Sequence, residues 1–226
     1  MPTNFGCVKS LAVAHLLVSA AHLFYFLAKT NSMKPTVILL LSLVYVLQLG
    51  AQQTVANTAN TAGVQLLFKG VTTKLTAVEK ESIFKQLGFS VAPDRKQFIA
   101  GADAKEFPFT AEVLPTDLNR DGIEELFVVY GNSFTSGHTG SSVVLFIKNA
   151  AGQYESNLGF PGTAPDVLPT TNKGYPDLVI GGPGFSYPVW RWNGKKYDLL
   201  RQISDKALSA AKARNVADLS AAYTKQ

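Results

Sequence analysis

Cysteine is nearly missing from this chain: Cys7 is the only one in 226 residues. Asn4-Phe5-Gly6 before it makes a poor lipoprotein box, because no apolar run leads into it. The body of the protein therefore excludes disulfides and thiolate metal sites, so its stability has to come from core burial, to which a bound metal could add. Histidine is almost as scarce. His15 and His22 stand near the N-terminus, which leaves His138 as the one imidazole available to the body for acid–base work. Charge is thin as well, at 16% of residues with a formal net charge of +5. Much of that excess is N-terminal: removing Lys9, Lys29 and Lys34 from the 21 basic residues leaves 18 against 16 acidic ones. No dense Lys/Arg stripe occurs, which argues against nucleic acid as a partner. No G-x-S-x-G elbow is present either.

Residues 1–51 read as a leader. Met33-Lys34 opens a basic start, Val37 to Leu49 is a short apolar run, and Gly50-Ala51 ends it in small residues before Gln52. Those three parts make a secretory signal peptide. The run falls short of the roughly 20 apolar residues that a membrane helix needs. The upstream stretch Leu11 to Ala28 is also apolar. The favoured reading starts translation at Met33, and the competing one pairs residues 11–28 and 36–50 in a membrane hairpin. Residues 52–62, polar and small, read as a linker, and 63–226 as one globular domain. The expected location is secreted or periplasmic, with no membrane contact after cleavage; a membrane-anchored structural protein is the alternative if residues 1–51 are retained.

Within the domain the period changes along the chain. Val64 to Phe68 is a short apolar run that suggests a strand. Thr76-Ala77-Val78-Glu79 is a capping box, with Val78, Ile83, Phe84 and Leu87 as a helical apolar face and Gly88 as the stop. From Phe107 onward the pattern is strand-like. Strands are expected at 109–114 (ending at Pro115), 125–130, 143–148, 177–180, 187–192 and 196–201, with Asn149–Gly152 and Asn193-Gly194 as turns. Gly131 to Ser142 reads as a flexible polar surface loop. Ser204 and Asn215 are placed to cap two C-terminal helices.

The stretch that carries chemistry is Asp117-Leu118-Asn119-Arg120-Asp121-Gly122-Ile123-Glu124-Glu125. Oxygen-bearing side chains fall at loop positions 1, 3, 5 and 9 with glycine at 6, the spacing of a calcium loop that leads into a strand. Calcium takes about 6–8 oxygens. Asp117, Asn119 and Asp121 offer three, the Ile123 carbonyl a fourth, and Glu125 one or two more. An EF-hand is disfavoured, since position 12 is Val128 and a strand follows instead of a helix. Magnesium fits less well, because all-protein oxygen cages suit calcium. The competing reading is an Asx-rich turn in which the same side chains cap backbone N–H groups.

Gly122 to Val129 aligns with Gly174 to Gly181, and each copy runs on through a Gly-rich loop, a strand, a turn and a Tyr-bearing strand. In the second copy Pro169, Thr171 and Lys173 stand where Asp117, Asn119 and Asp121 stand in the first, with Asp177 at the place of Glu125. The loop 117–125 and the run Asp177-Leu178-Val179-Ile180-Gly181-Gly182-Pro183-Gly184 resemble FG-GAP/VCBS-type repeats. The resemblance covers about Leu114 to Arg201, at most two repeats. It implies four-stranded β units and calcium in the loop. Two repeats cannot close a propeller, which needs about four blades. The expected fold is α+β, mainly β: antiparallel propeller-blade-like sheets from two degenerate repeats, at about 107–157 and 166–202, flanked by an N-terminal and a C-terminal helix.

These features point to a non-catalytic, calcium-stabilised β module, expected to be a monomer, that binds a protein or a glycan. The candidate recognition surface is His138, Tyr187, Trp190, Trp192 and Tyr197, with core packing of the aromatics as the alternative. A second function class is a serine-type hydrolase using His138 with Ser141 or Ser142 in the 131–142 loop. Glu124 and Glu125 are adjacent on a strand and must face opposite ways, so a two-carboxylate glycosidase is disfavoured.

Overall fold

The computed structural model describes residues 60–101, 104–182 and 184–225. The leader, with Cys7, His15 and His22, lies outside the described residues, as does the signal-peptide expectation. Residues 60–67 are helical, so the apolar run there forms a helix and not a strand. No helix among the described residues is long and apolar enough to cross a membrane.

Helix α1 spans Ala77–Leu87 and is built as its capping box dictates. The Thr76 hydroxyl accepts from Glu79 N at 3.3 Å, and the Glu79 carboxylate accepts from Thr76 N at 2.8 Å. Gly88 ends it in the left-handed region at φ 69°, where a Cβ is disfavoured. Ile83 and Phe84 are buried, but Val78 is 76% exposed and does not belong to the apolar face. A two-stranded ribbon, β1 (Ser90–Val91) with β2 (Phe98–Ile99), follows.

Two antiparallel sheets make up the body. The first contains β3 (Ala111–Thr116), β4 (Glu125–Tyr130), β5 (Ser142–Lys148) and β6 (Tyr154–Pro161), each paired with the next. The second contains β7 (Asp166–Asn172), β8 (Tyr175–Val179), β9 (Ser186–Trp192) and β10 (Tyr197–Ser204), again in sequential order. A two-residue strand β11 (Arg214–Asn215) is added beside β7. Pro115 does not end its strand: it lies within β3, an edge strand where a missing N–H is tolerated, and pairs with Leu126 of β4.

The pleat sorts side chains into layers. Leu126, Val128, Val144 and Phe146 leave one face of the first sheet to pack with Ile83 and Phe84 of α1 and with Phe89, Phe98 and Phe109. Phe127, Val143 and Leu145 leave the other face and meet Tyr175, Leu178, Ile180, Trp192 and Tyr197 of the second sheet. On the far side of that sheet, Leu168, Val179, Val189 and Ile203 are covered by Leu208, Ala211 and Ala213. The covering segment begins with helix α3 (Asp205–Ala210), capped by Ser204 and followed within a few residues by β11; α2 is the single turn Ser133–Ser136. Helix α4 (Val216–Tyr223) is capped by Asn215, whose side chain accepts from Ala217 N at 3.0 Å.

The stretch from Gly131 to Ser142 is built structure, not a free loop. Asn132 caps α2 by accepting from Phe134 N and Thr135 N, and it donates to the carbonyls of Phe107 and Pro108. Ser136 and Ser142 are buried, with their hydroxyls 2.8 Å apart. Gly131, at φ 108°, leaves no room for a Cβ, which would come within 2.5 Å of Ser136 Oγ.

Phe127 has no exposed surface and sits on the face that meets the second sheet. Phe127→Ala is expected to cost about 3–5 kcal/mol in urea unfolding. A loss below about 1 kcal/mol would mean that the two sheets do not share this core.

Candidate functional site

The loop joining β3 to β4 is held by its own side chains. Asp117 accepts from Asp121 N through one oxygen and from Gly122 N through the other, both at 3.0 Å. Asn119 Oδ1 accepts from Asp121 N at 3.1 Å, and Asp121 Oδ1 from Ile123 N at 2.8 Å. The Asn119 amide donates to Asp121 Oδ2 at 2.8 Å. Two left-handed residues, Arg120 (φ 62°) and Gly122 (φ 84°), bend the chain back on itself. The Ile123 side chain is 43% exposed. Asp117, Asn119 and Asp121 are thus brought to one short bend with oxygens that keep unused lone pairs. Among the described residues, no group of three or more His, Cys, Asp or Glu side chains is placed to hold a metal ion. In this geometry the loop is the Asx-type turn, with the chemistry of its donors suited to calcium but committed to backbone N–H groups.

Below the loop, two neighbouring glutamates part. Glu124 faces the helical side, where it accepts from the Thr73 hydroxyl and from Lys74 N, the latter at 2.9 Å. Glu125 faces the second sheet. Its Oε2 accepts from Leu118 N and its Oε1 from the Tyr175 hydroxyl, both at 2.7 Å. Both side chains are buried. Burial pushes the Glu125 carboxyl up from 4.5 to about 7; the two donors pull the other way, while Asp121 and Asp117 add to the rise. No salt bridge among the described residues reaches this carboxylate.

The second unit has no comparable loop. Pro169 and Thr171 lie within β7, which turns into β8 through Lys173 (φ 48°) and Gly174 (φ 88°). That is a two-residue hairpin, so the Pro169–Asp177 stretch is strand and tight turn, not an ion loop that has lost its ligands. Asp177 is buried in a different role. It accepts from Arg191 through two nitrogens at 2.7 and 2.8 Å and from Thr170 at 2.5 Å. Burial works against its charge, but the guanidinium and the hydroxyl hold its carboxyl below the usual range.

The predicted recognition residues do not come together on the surface. Trp192 and Tyr197 are buried in the core between the sheets, the first tilted against Tyr175 and the second edge-on to it, which corrects their assignment to a binding face. Trp190 is half-buried against Phe160, and among the described residues its Nε1 has no hydrogen-bond partner. Tyr187 is half-buried, and His138 is exposed. Ser142 bonds to Ser136 and Ser141 to the Gly162 carbonyl, so neither hydroxyl is hydrogen-bonded to His138. An exposed aromatic pair does occur elsewhere: Phe107 and Phe134 stack at 3.8 Å with rings 4° from parallel. Reading the sequence missed Tyr175 and Thr73 as carboxylate partners. A hydroxyl at each place was visible, but its pairing with a glutamate about fifty positions away had no local signal.

Comparison with protein-family models, curated proteins and solved structures finds no match.

Because the Glu125 carboxyl titrates higher in the folded chain than in the unfolded one, its contribution to stability is fully present below about pH 4.5. It is lost as pH rises through 7. The size is about 3 kcal/mol, since each tenfold change in proton affinity is worth roughly 1.4 kcal/mol. Glu125→Gln keeps an acceptor for Leu118 N and offers a donor to the Tyr175 oxygen. It is expected to leave stability near pH 4.5 almost unchanged and to raise it by up to about 3 kcal/mol at pH 8 in chelator. A variant with the same pH profile as the parent would show that this carboxyl is not the group responsible.

Proposed function

We propose that this chain is a secreted or periplasmic, non-catalytic β module whose β3–β4 loop is closed by calcium, and that it works by binding a protein or a glycan. The observation that carries the calcium reading is the environment of Glu125. It is a buried carboxylate that shares the field of Asp117 and Asp121, and among the described residues no cation is paired to it. A divalent ion held by Asp117, Asn119, Asp121, the Ile123 carbonyl and Glu125 would turn that mutual repulsion into attraction. Binding requires the Asn119–Asp121 side-chain bond to give way, which is a small cost against several charge-neutralising contacts. The ion's part is structural: it sets the bend between two strands.

The resemblance to FG-GAP/VCBS-type repeats rests on the loop residues and is supported by hydrogen bonds that recur in the two sheets. The Tyr154 hydroxyl donates to the Glu124 carbonyl and the Tyr197 hydroxyl to the Pro176 carbonyl, each at 2.9 Å. Asn149 and Asn193 organise the preceding turns alike. Each accepts from two backbone N–H groups and donates to the acid that follows the tyrosine, Glu155 or Asp198. Both tyrosines belong to the final strand of a four-stranded meander. We therefore read the domain as two blade-like copies of one unit, of which only the first carries an ion loop.

Thermal unfolding tests the calcium reading. Millimolar calcium is expected to raise the melting temperature over chelator, by the equivalent of about 2.7 kcal/mol if the concentration is a hundred times the dissociation constant. Magnesium should do much less, and Asp121→Ala should abolish the shift. Calcium should also flatten the loss of stability between pH 4.5 and 7, because it favours the ionised Glu125. An unchanged melting temperature in calcium would end this reading.

A further inference from the structure

A cavity of about 840 Å³ opens between the β3–β4 loop, strand β7 and the C-terminal segment. Its size falls within the range of about 300–1,000 Å³ usual for small-molecule sites. Three cations line it from two separated parts of the chain: Arg120 from the loop, and Lys212 and Arg214 from the segment that returns to β7. None of the three forms a salt bridge among the described residues. One acid, Asp117, also lines the cavity, but both of its carboxylate oxygens already accept backbone N–H bonds inside the loop. The rest of the lining is largely apolar, with Val167, Leu168 and Pro176 among it. Arg120 and Lys212 both hold left-handed backbone angles, φ 62° and 53°, a conformation disfavoured for long side chains.

We propose that this cavity binds a small organic anion, with Arg120, Lys212 and Arg214 receiving its carboxylate or phosphate group and its apolar body lying against β7. The chemistry follows from the lining. Three cations that line one concavity and form no salt bridge among the described residues repel each other, and an anion relieves that repulsion while gaining charge-assisted hydrogen bonds. A wholly polar anion would leave the apolar wall wet, whereas an amphipathic one covers it. The site does not require calcium in the loop, although it shares a wall with it.

The test uses the full chain in chelator, so that failure of the calcium reading leaves it intact. Anilinonaphthalene sulfonate, a fluorescent amphipathic anion, is expected to bind saturably with one site per chain. Decanoate and phenyl phosphate compete in separate arms, which distinguish a carboxylate from a phosphate preference; decanol is the uncharged control. The double variant Lys212→Gln with Arg214→Gln should weaken the probe by about tenfold or more, with its own melting temperature measured alongside. If that variant is destabilised, Arg120→Gln, an exposed loop position, replaces it, with a loss of about threefold or more expected. Equal probe affinity in a folded variant, or displacement by decanol as effective as by decanoate, overturns the proposal.

Discussion

A β-strand cannot send two neighbouring side chains to the same side, and the start of β4 puts that constraint under charge. Glu124 and Glu125 are both buried, one on each face of the first sheet. A buried carboxylate without partners costs several kcal/mol, so each face has to bring donors to it. Thr73 and Lys74 come from the segment before α1 to serve Glu124. Leu118 and Tyr175 serve Glu125, and Tyr175 belongs to the other sheet. The segment before α1 and the second sheet are thus each tied to one of two neighbouring residues where β4 begins. A one-residue slip of β4 would turn each carboxylate to the opposite face of the sheet, away from the donors that serve it.

Features whose cause is local were legible in the residues. Thr76 with Glu79, Ser204 and Asn215 cap the helices they were expected to cap, and Asn149 and Asn193 make their turns. The strands that escaped notice are those whose pattern is diluted. Beyond its first residues, β6 is an edge strand with mixed polarity, and β7 carries Pro169 at an irregular stretch of pairing. The hydroxyl-rich stretch 131–142 misleads for another reason. Serines that look made for water satisfy one another in the interior, as Ser136 and Ser142 do. Two tryptophans two residues apart do share a face, but spacing does not tell whether that face meets water or a second sheet. The loop itself was plain in the sequence; the tyrosine that holds its last carboxylate was not, being fifty positions away.

The β3–β4 connection presents opposite charges in two directions. Asp117 and Asp121 turn their oxygens into the bend, while Arg120, between them, lines the cavity against β7. If both proposals hold, one short segment would take a cation on its inner side and an anion on its outer side. The corresponding connection in the second sheet, Lys173-Gly174, is too short to do either. Apart from β11, added beside β7, the strands of the two sheets follow the same sequential order, and the asymmetry is in this one connection.

That sequential strand order has a kinetic meaning. Every pairing within the two four-stranded meanders joins neighbours along the chain, so each ladder closes over a short loop at small entropic cost. The pairing of Arg214 with Val167 and the contact between Tyr175 and Glu125 are of another kind, bringing together distant stretches. The contacts thus divide into hairpins that are local along the chain and a docking of sheet on sheet that buries a carboxylate. Acidity that keeps that carboxylate protonated would ease the docking without altering the hairpins, so the docking would be governed by pH while the hairpins are governed by turns.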